Sequence, residues 1–162
     1  MFKGIVLLLV LSSFTTANLS ITEVRNVYEK AIYSQQIAID LIDKLNASNN
    51  NTFLGYKGAV TMIMAKHVFS PYKKLNYFKN GKEILEQAIL KEPLNIELRF
   101  LRFSIQSNSP KFLDYHSNLF SDKSFLLKEV KTINDTDLKQ RITKFLLNNN
   151  EVSKAEKLTL QQ

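Results

Sequence analysis

The segment Gly81-Lys82-Glu83-Ile84-Leu85-Glu86-Gln87-Ala88-Ile89-Leu90-Lys91-Glu92-Pro93-Leu94-Asn95 decides how the chain folds. Phe78, Gly81, Leu85 and Ala88 recur at three- and four-residue steps with charged side chains between them, which is the spacing of one face of an α-helix. Pro93 has no amide hydrogen and disfavours helical backbone in the residue before it, so the pattern stops at Glu92. It resumes from Leu94 to Gln106, where Leu98, Leu101 and Ile105 share one face and Ile96, Phe100 and Phe103 another. A helix with two apolar faces is a buried one. Only Arg99, Arg102 and Gln106 run along it as a polar stripe.

The same punctuation extends in both directions. Ser70-Pro71 reads as an N-cap followed by proline in the first turn and opens the helix that ends at Lys91. Asn80 with Glu83 three residues on is an alternative start, which leaves Tyr72 to Lys79 as a connection. Before it, Thr52 to Phe69 reads as a helix carrying Gly55, Gly58, Ala59 and Ala65. Glycine in a helix costs about 1 kcal/mol relative to alanine, so two of them imply a close helix contact. Asn-rich residues 47–51 form a loop, and Ile21 to Leu45 reads as one amphipathic helix capped by Ser20 or Thr22. Downstream, Ser109-Pro110 repeats the cap-proline start for a helix from Phe112 to Phe120. A break at Ser121-Asp122 precedes a helix to Val130, and Asn134-Asp135 caps a last clear helix bearing Leu138, Ile142, Phe145 and Leu146. Residues 18–150 make one domain, and residues 151–162 a weak helix or frayed tail. With 162 residues, four glycines and three prolines, the fold class is all-α.

Gly81, Leu85, Ala88 and Pro93 followed by Asn95 sit at the spacing of the tetratricopeptide repeat, which this stretch resembles. The two Ser-Pro junctions lie 39 residues apart, a period compatible with stacked helical hairpins. Gly81 stands where that family usually has alanine, and the preceding helix lacks its tryptophan-leucine-glycine-tyrosine pattern. The resemblance implies a short right-handed array of hairpins that binds protein segments. It implies no catalytic residues.

Residues 1–17 have the layout of an export signal: Lys3 at the start, an apolar run from Gly4 to Leu11 with Phe14, then Thr15-Thr16-Ala17. A buried N-terminal helix and a retained anchor are the other readings. Crossing a bilayer takes roughly 20 apolar residues, which favours cleavage near Asn18 and a periplasmic or secreted product. No cysteine follows the small residues to carry a lipid.

Formal net charge is +7, or +6 once Lys3 is removed, and its placement is uneven. Between Asp43 and Glu83 there is no acid, yet Lys44, Lys57, Lys66, Lys73, Lys74, Lys79 and Lys82 fall there. Aromatic residues, Tyr56 and Tyr72 among them, are interleaved with these lysines. Lys73 and Lys74 sit in a first helical turn, where each opposes the helix dipole by about 0.3–1 kcal/mol. Either a solvated face or an anionic partner accounts for the run; lipid head groups, an acidic envelope polymer and an acidic protein face all qualify.

Reactive chemistry is sparse. The chain has no cysteine, no phosphate-binding glycine loop and no serine in a nucleophile-elbow pattern. His67 and His116 have no second ligand at helical spacing, and Asp135 with Asp137 suits a helix cap better than a metal. No metal, cofactor, catalytic residue or nucleic-acid partner is expected. The leading expectation is a non-enzymatic exported protein that grips a protein or peptide through Arg99, Arg102 and Gln106, with Tyr56 and His67 as further contacts. Arginine suits peptide carboxylates through bidentate hydrogen bonds. The competing reading pairs these arginines internally with Glu86, Glu97 or Asp114. The alternative function is peripheral binding to an anionic membrane or envelope surface through Lys57, Lys66, Lys73, Lys74, Lys79 and Lys82.

Overall fold

A computed structural model describes residues 19–161, so the export signal expected over residues 1–17 lies outside the described residues. Among these, the chain forms eight α-helices and no strand: α1 (Ile21–Ala31), α2 (Gln35–Asn46), α3 (Asn51–His67), α4 (Pro71–Lys91), α5 (Ile96–Gln106), α6 (Leu119–Glu129), α7 (Thr136–Asn148) and α8 (Lys154–Thr159). The fold is all-α.

Helix starts follow side-chain chemistry. Ser20, Ser34, Asn50, Ser70, Asn95, Asp135 and Ser153 each accept a hydrogen bond from a first-turn amide, replacing a partner that the helix itself does not supply. Ser70 with Pro71 opens α4, so the later start at Asn80 is not used. The Asp135 carboxyl is held below the usual carboxylate range, first by the Leu138 amide and then by Arg25. It serves as cap and ion-pair partner together.

Three expectations are corrected. The single helix over Ile21 to Leu45 is two, because the chain turns at Ile32-Tyr33 and Ser34 caps a new helix. Ala31 and Ala38, both fully buried, lie seven residues apart, so the apolar phase continues across the turn and hides it. Next, α5 starts at Ile96 and not at Leu94, since Asn95 caps it. Finally, Ser109-Pro110 opens only a single 3-10 turn, Lys111–Leu113, which Asp114 ends in the left-handed region at φ 47°. The helix expected from Phe112 to Phe120 does not form. Instead α6 runs unbroken through Ser121-Asp122, with Asp122 favourably placed in its first turn.

α3 is the hub, packed against α1, α2, α4 and α5, with its widest contact on α4. That contact is close because of glycine. A Cβ on Gly58 would lie 2.6 Å from the Leu85 amide nitrogen, and one on Gly81 would lie 2.5 Å from the Gly58 carbonyl oxygen. Leu41, Leu45, Tyr56, Leu85, Leu98 and Leu101 belong to the core on this side. Phe103, Leu126, Val130, Leu138, Ile142, Leu146 and Val152 form a second core among α5, α6, α7 and the segment before α8. α5 therefore divides its apolar residues between two cores. Each fully buried aliphatic side chain contributes roughly 1.5–3 kcal/mol by leaving water.

Candidate functional site

The polar stripe of α5 is consumed by the fold. Asp122 of α6, fully buried, accepts from Arg102 Nε at 2.6 Å and Nη2 at 2.9 Å, and also from Arg99 Nε. Arg102 Nη1 reaches Glu86 of α4 at 2.8 Å, and the Tyr115 hydroxyl donates to the same carboxylate. Burial opposes charge on Arg102, but Asp122 and Glu86 outweigh it and keep the guanidinium protonated. Burial and Glu86 push the Tyr115 hydroxyl far above its usual range, so it remains a donor. Gln106 is fully buried, and neither its oxygen nor its nitrogen has a partner among the described residues. Of the acids expected to receive these arginines, only Glu86 does so. Asp114 is exposed, and Glu97 serves a different arginine.

That arginine is Arg25 of α1. Its guanidinium is bidentate on Glu97 of α5 at 2.7 and 2.8 Å, and its third nitrogen lies 2.9 Å from both Asp135 and Asp137 at the start of α7. The Tyr56 hydroxyl of α3 donates to Glu97 at 2.7 Å, and burial with Glu97 raises its pKa well above the ordinary tyrosine value. Arg141 of α7 bonds Asp137 at 2.9 Å and reaches back to Asn26 and Glu29 on α1. Tyr56, expected to contact a partner, is thus buried in a network joining four helices. Arg25 was the residue missed, although its place four residues after Ile21 and three before Tyr28 sets it on the inward face of α1.

His67 is also internal: its Nε2 lies 2.9 Å from the Ala31 carbonyl oxygen. This contact fastens the end of α3 to the end of α1. The α1–α2 turn, with Tyr33, and the α3–α4 turn, with Phe69, therefore lie at the same end of the molecule.

The lysines behave differently. All four arginines pair with carboxylates, whereas none of Lys44, Lys57, Lys66, Lys73, Lys74, Lys79 and Lys82 has an ion-pair partner among the described residues. Lys66, Lys73, Lys74 and Lys79 are exposed; Lys57 is half-buried, and Lys82 lies over the Tyr115 ring, 4.8 Å from its centroid. Lys73 and Lys74 occupy the first turn of α4, which has no acid to offset them. An open groove of about 580 Å³ continues along α4, lined by Lys79, Lys82, Glu83, Gln87 and the exposed Leu90, with Arg102 at its floor.

No protein family, curated protein or solved structure matches this chain. Among the described residues, no three His, Cys, Asp or Glu side chains are grouped to hold a metal, and no helix is long and apolar enough to cross a membrane.

Proposed function

We propose that the protein is an exported, non-enzymatic helical-repeat scaffold that attaches peripherally to an anionic surface through the α3–α4 hairpin. A single observation carries this reading: the arginines are paired within the fold, while the seven lysines of the acid-free interval are left without carboxylate partners. Six of them, all but Lys44, lie on the α3–α4 hairpin, where unpaired like charges repel each other and leave a positive field that attracts an external anion. The scaffold is read as a short tetratricopeptide-like right-handed array, supported by the burial of Gly81, Leu85 and Ala88 on α4 and by Pro93 just beyond that helix. Export follows from reading residues 1–17 as a cleaved signal, which directs the field toward an envelope or extracellular partner.

The test is retention on immobilised dextran sulfate. The wild type is expected to bind at low salt and to elute as salt rises, because exposed charges are screened within about 8 Å at physiological ionic strength. Changing Lys66, Lys73 and Lys74 to glutamate should abolish retention. The same three-lysine reversal at Lys111, Lys131 and Lys154, which are exposed elsewhere, should leave most of it. An equal loss from both triple variants would mean that net charge alone binds, and the reading fails.

A second reading, capture of a peptide, is favoured by the groove along α4. Its exposed Leu90 between Lys79, Lys82 and Glu83 suits an apolar side chain flanked by both charges. On a peptide array the wild type should select mixed-charge, leucine- or phenylalanine-bearing sequences, and Leu90→Glu should lose them. Identical array profiles for the two proteins would remove this reading.

A further inference from the structure

The lysine field rests on a tip that is not polar. Phe69, in the α3–α4 turn, is 99% exposed, and Tyr72 in the first turn of α4 is 80% exposed. Leu75, three residues after Tyr72 and on the same side of α4, is also exposed. Tyr33, in the neighbouring turn that His67 ties to this end, is 87% exposed. Exposed large apolar side chains scattered singly need no explanation, but four gathered at one end do. None of the four is needed by the core, and each gives up apolar surface to water.

The cations around them define the chemistry. Lys66, Lys73 and Lys74 are exposed within a few residues of Phe69, and α1 ends with Lys30 beside the Tyr33 turn. Neither α3 nor the first half of α4 carries an acid, and Glu29, next to Lys30 on α1, is bound by Arg141. Apolar prongs encircled by lysines match a layered target, with negative charge at the surface and hydrocarbon beneath. A dissolved polyanion offers the charge but nothing for the prongs. Aromatic rings are suited to the boundary between head groups and acyl chains, where one edge is dry and the other wet.

Resting on the anionic-surface reading above, we infer that the surface is a lipid bilayer containing anionic phospholipid, and that Phe69, Tyr72 and Tyr33 insert into its interface with the surrounding lysines on the head groups. The groove along α4 begins at Lys79, about two helical turns from the tip. Attachment uses two terms with different salt responses: the lysine term is screened, and the aromatic term is not.

The chain has no tryptophan, so Phe69→Trp places a single reporter at the tip without disturbing a buried contact. With vesicles of mixed phosphatidylcholine and phosphatidylglycerol, its emission should shift to the blue and be quenched by brominated acyl chains. Phosphatidylcholine alone should give neither. A second variant, Phe69→Ser with Tyr72→Ser, keeps every lysine. It should weaken vesicle binding by about tenfold or more, the loss expected for two aromatic side chains leaving an apolar environment. Its retention on dextran sulfate should not change. Vesicle sedimentation of Phe69→Trp without a shift or quenching would show adsorption by charge alone and overturn the insertion proposal while leaving the anionic-surface reading intact. Failure to bind either vesicles or dextran sulfate would overturn both.

Discussion

Asp122→Asn should be the most damaging conservative substitution in the protein. The carboxylate is fully buried and accepts from both Arg99 and Arg102, while Glu86 reaches only one nitrogen of Arg102. Removing its charge leaves Arg99 without a counter-ion and the buried Arg102 with Glu86 alone. Breaking a buried pair from one side costs about 3–5 kcal/mol, because the stranded charge pays desolvation without recompense. Denaturant unfolding followed by circular dichroism should therefore show a midpoint well below wild type. The triple replacement Arg99→Met, Arg102→Met, Asp122→Leu removes the charges together and should recover much of the loss. If Asp122→Asn unfolds within about 1 kcal/mol of wild type, the network is a surface-like pair of little consequence.

Gly58→Ala should reverse the usual sign of a glycine-to-alanine change. In an exposed helix the substitution gains about 1 kcal/mol from propensity. Here the new methyl group would meet the backbone of α4 at three points: Leu85 nitrogen at 2.6 Å, the Gly81 carbonyl oxygen at 2.8 Å and Leu85 Cα at 3.0 Å. Backbone of a neighbouring helix moves only if the two helices separate, and overpacking typically costs about 1–3 kcal/mol and occasionally more. A net loss of about 2 kcal/mol lowers the melting temperature of a chain this size by roughly 4–8 °C. Gly55→Ala is the control. Its new atom would meet the end of the Leu98 side chain, which can rotate, so its loss should be smaller. A higher melting temperature for Gly58→Ala would contradict the close crossing.

These two sites differ in how far the sequence announces them. The paired glycines of α3 are visible as an unfavourable choice that needs a neighbour, and Gly81 on the next helix is a natural counterpart. Caps are similarly local: Ser70-Pro71 and Asn134-Asp135 state their helix starts within two or three residues. Ion-pair partners are not local. Asp122 lies 20 residues from Arg102 and Glu97 lies 72 from Arg25, so nothing in either neighbourhood identifies the pair. A turn that preserves apolar phase is hidden for a related reason, since periodicity registers which side is buried and not whether the axis has reversed. Phe69 and Tyr72 are a case of partial legibility. The sequence shows them only as aromatics interleaved with lysines, and the packed fold decides that Phe69 and Tyr72 stand in solvent while Tyr56 and Phe78 turn inward. The acid-free interval was legible as charge, but its separation from the arginines was not.

That separation bears on how the protein can change over time. All four arginines are fixed in carboxylate networks between helices, whereas Lys66, Lys73 and Lys74 around the tip are exposed ammonium groups with no ion pair among the described residues. Folding and the proposed surface affinity therefore rest on different residues. Substitutions at Lys66, Lys73 and Lys74 can strengthen, weaken or relocate the outward charge while leaving the arginine networks of the interior untouched.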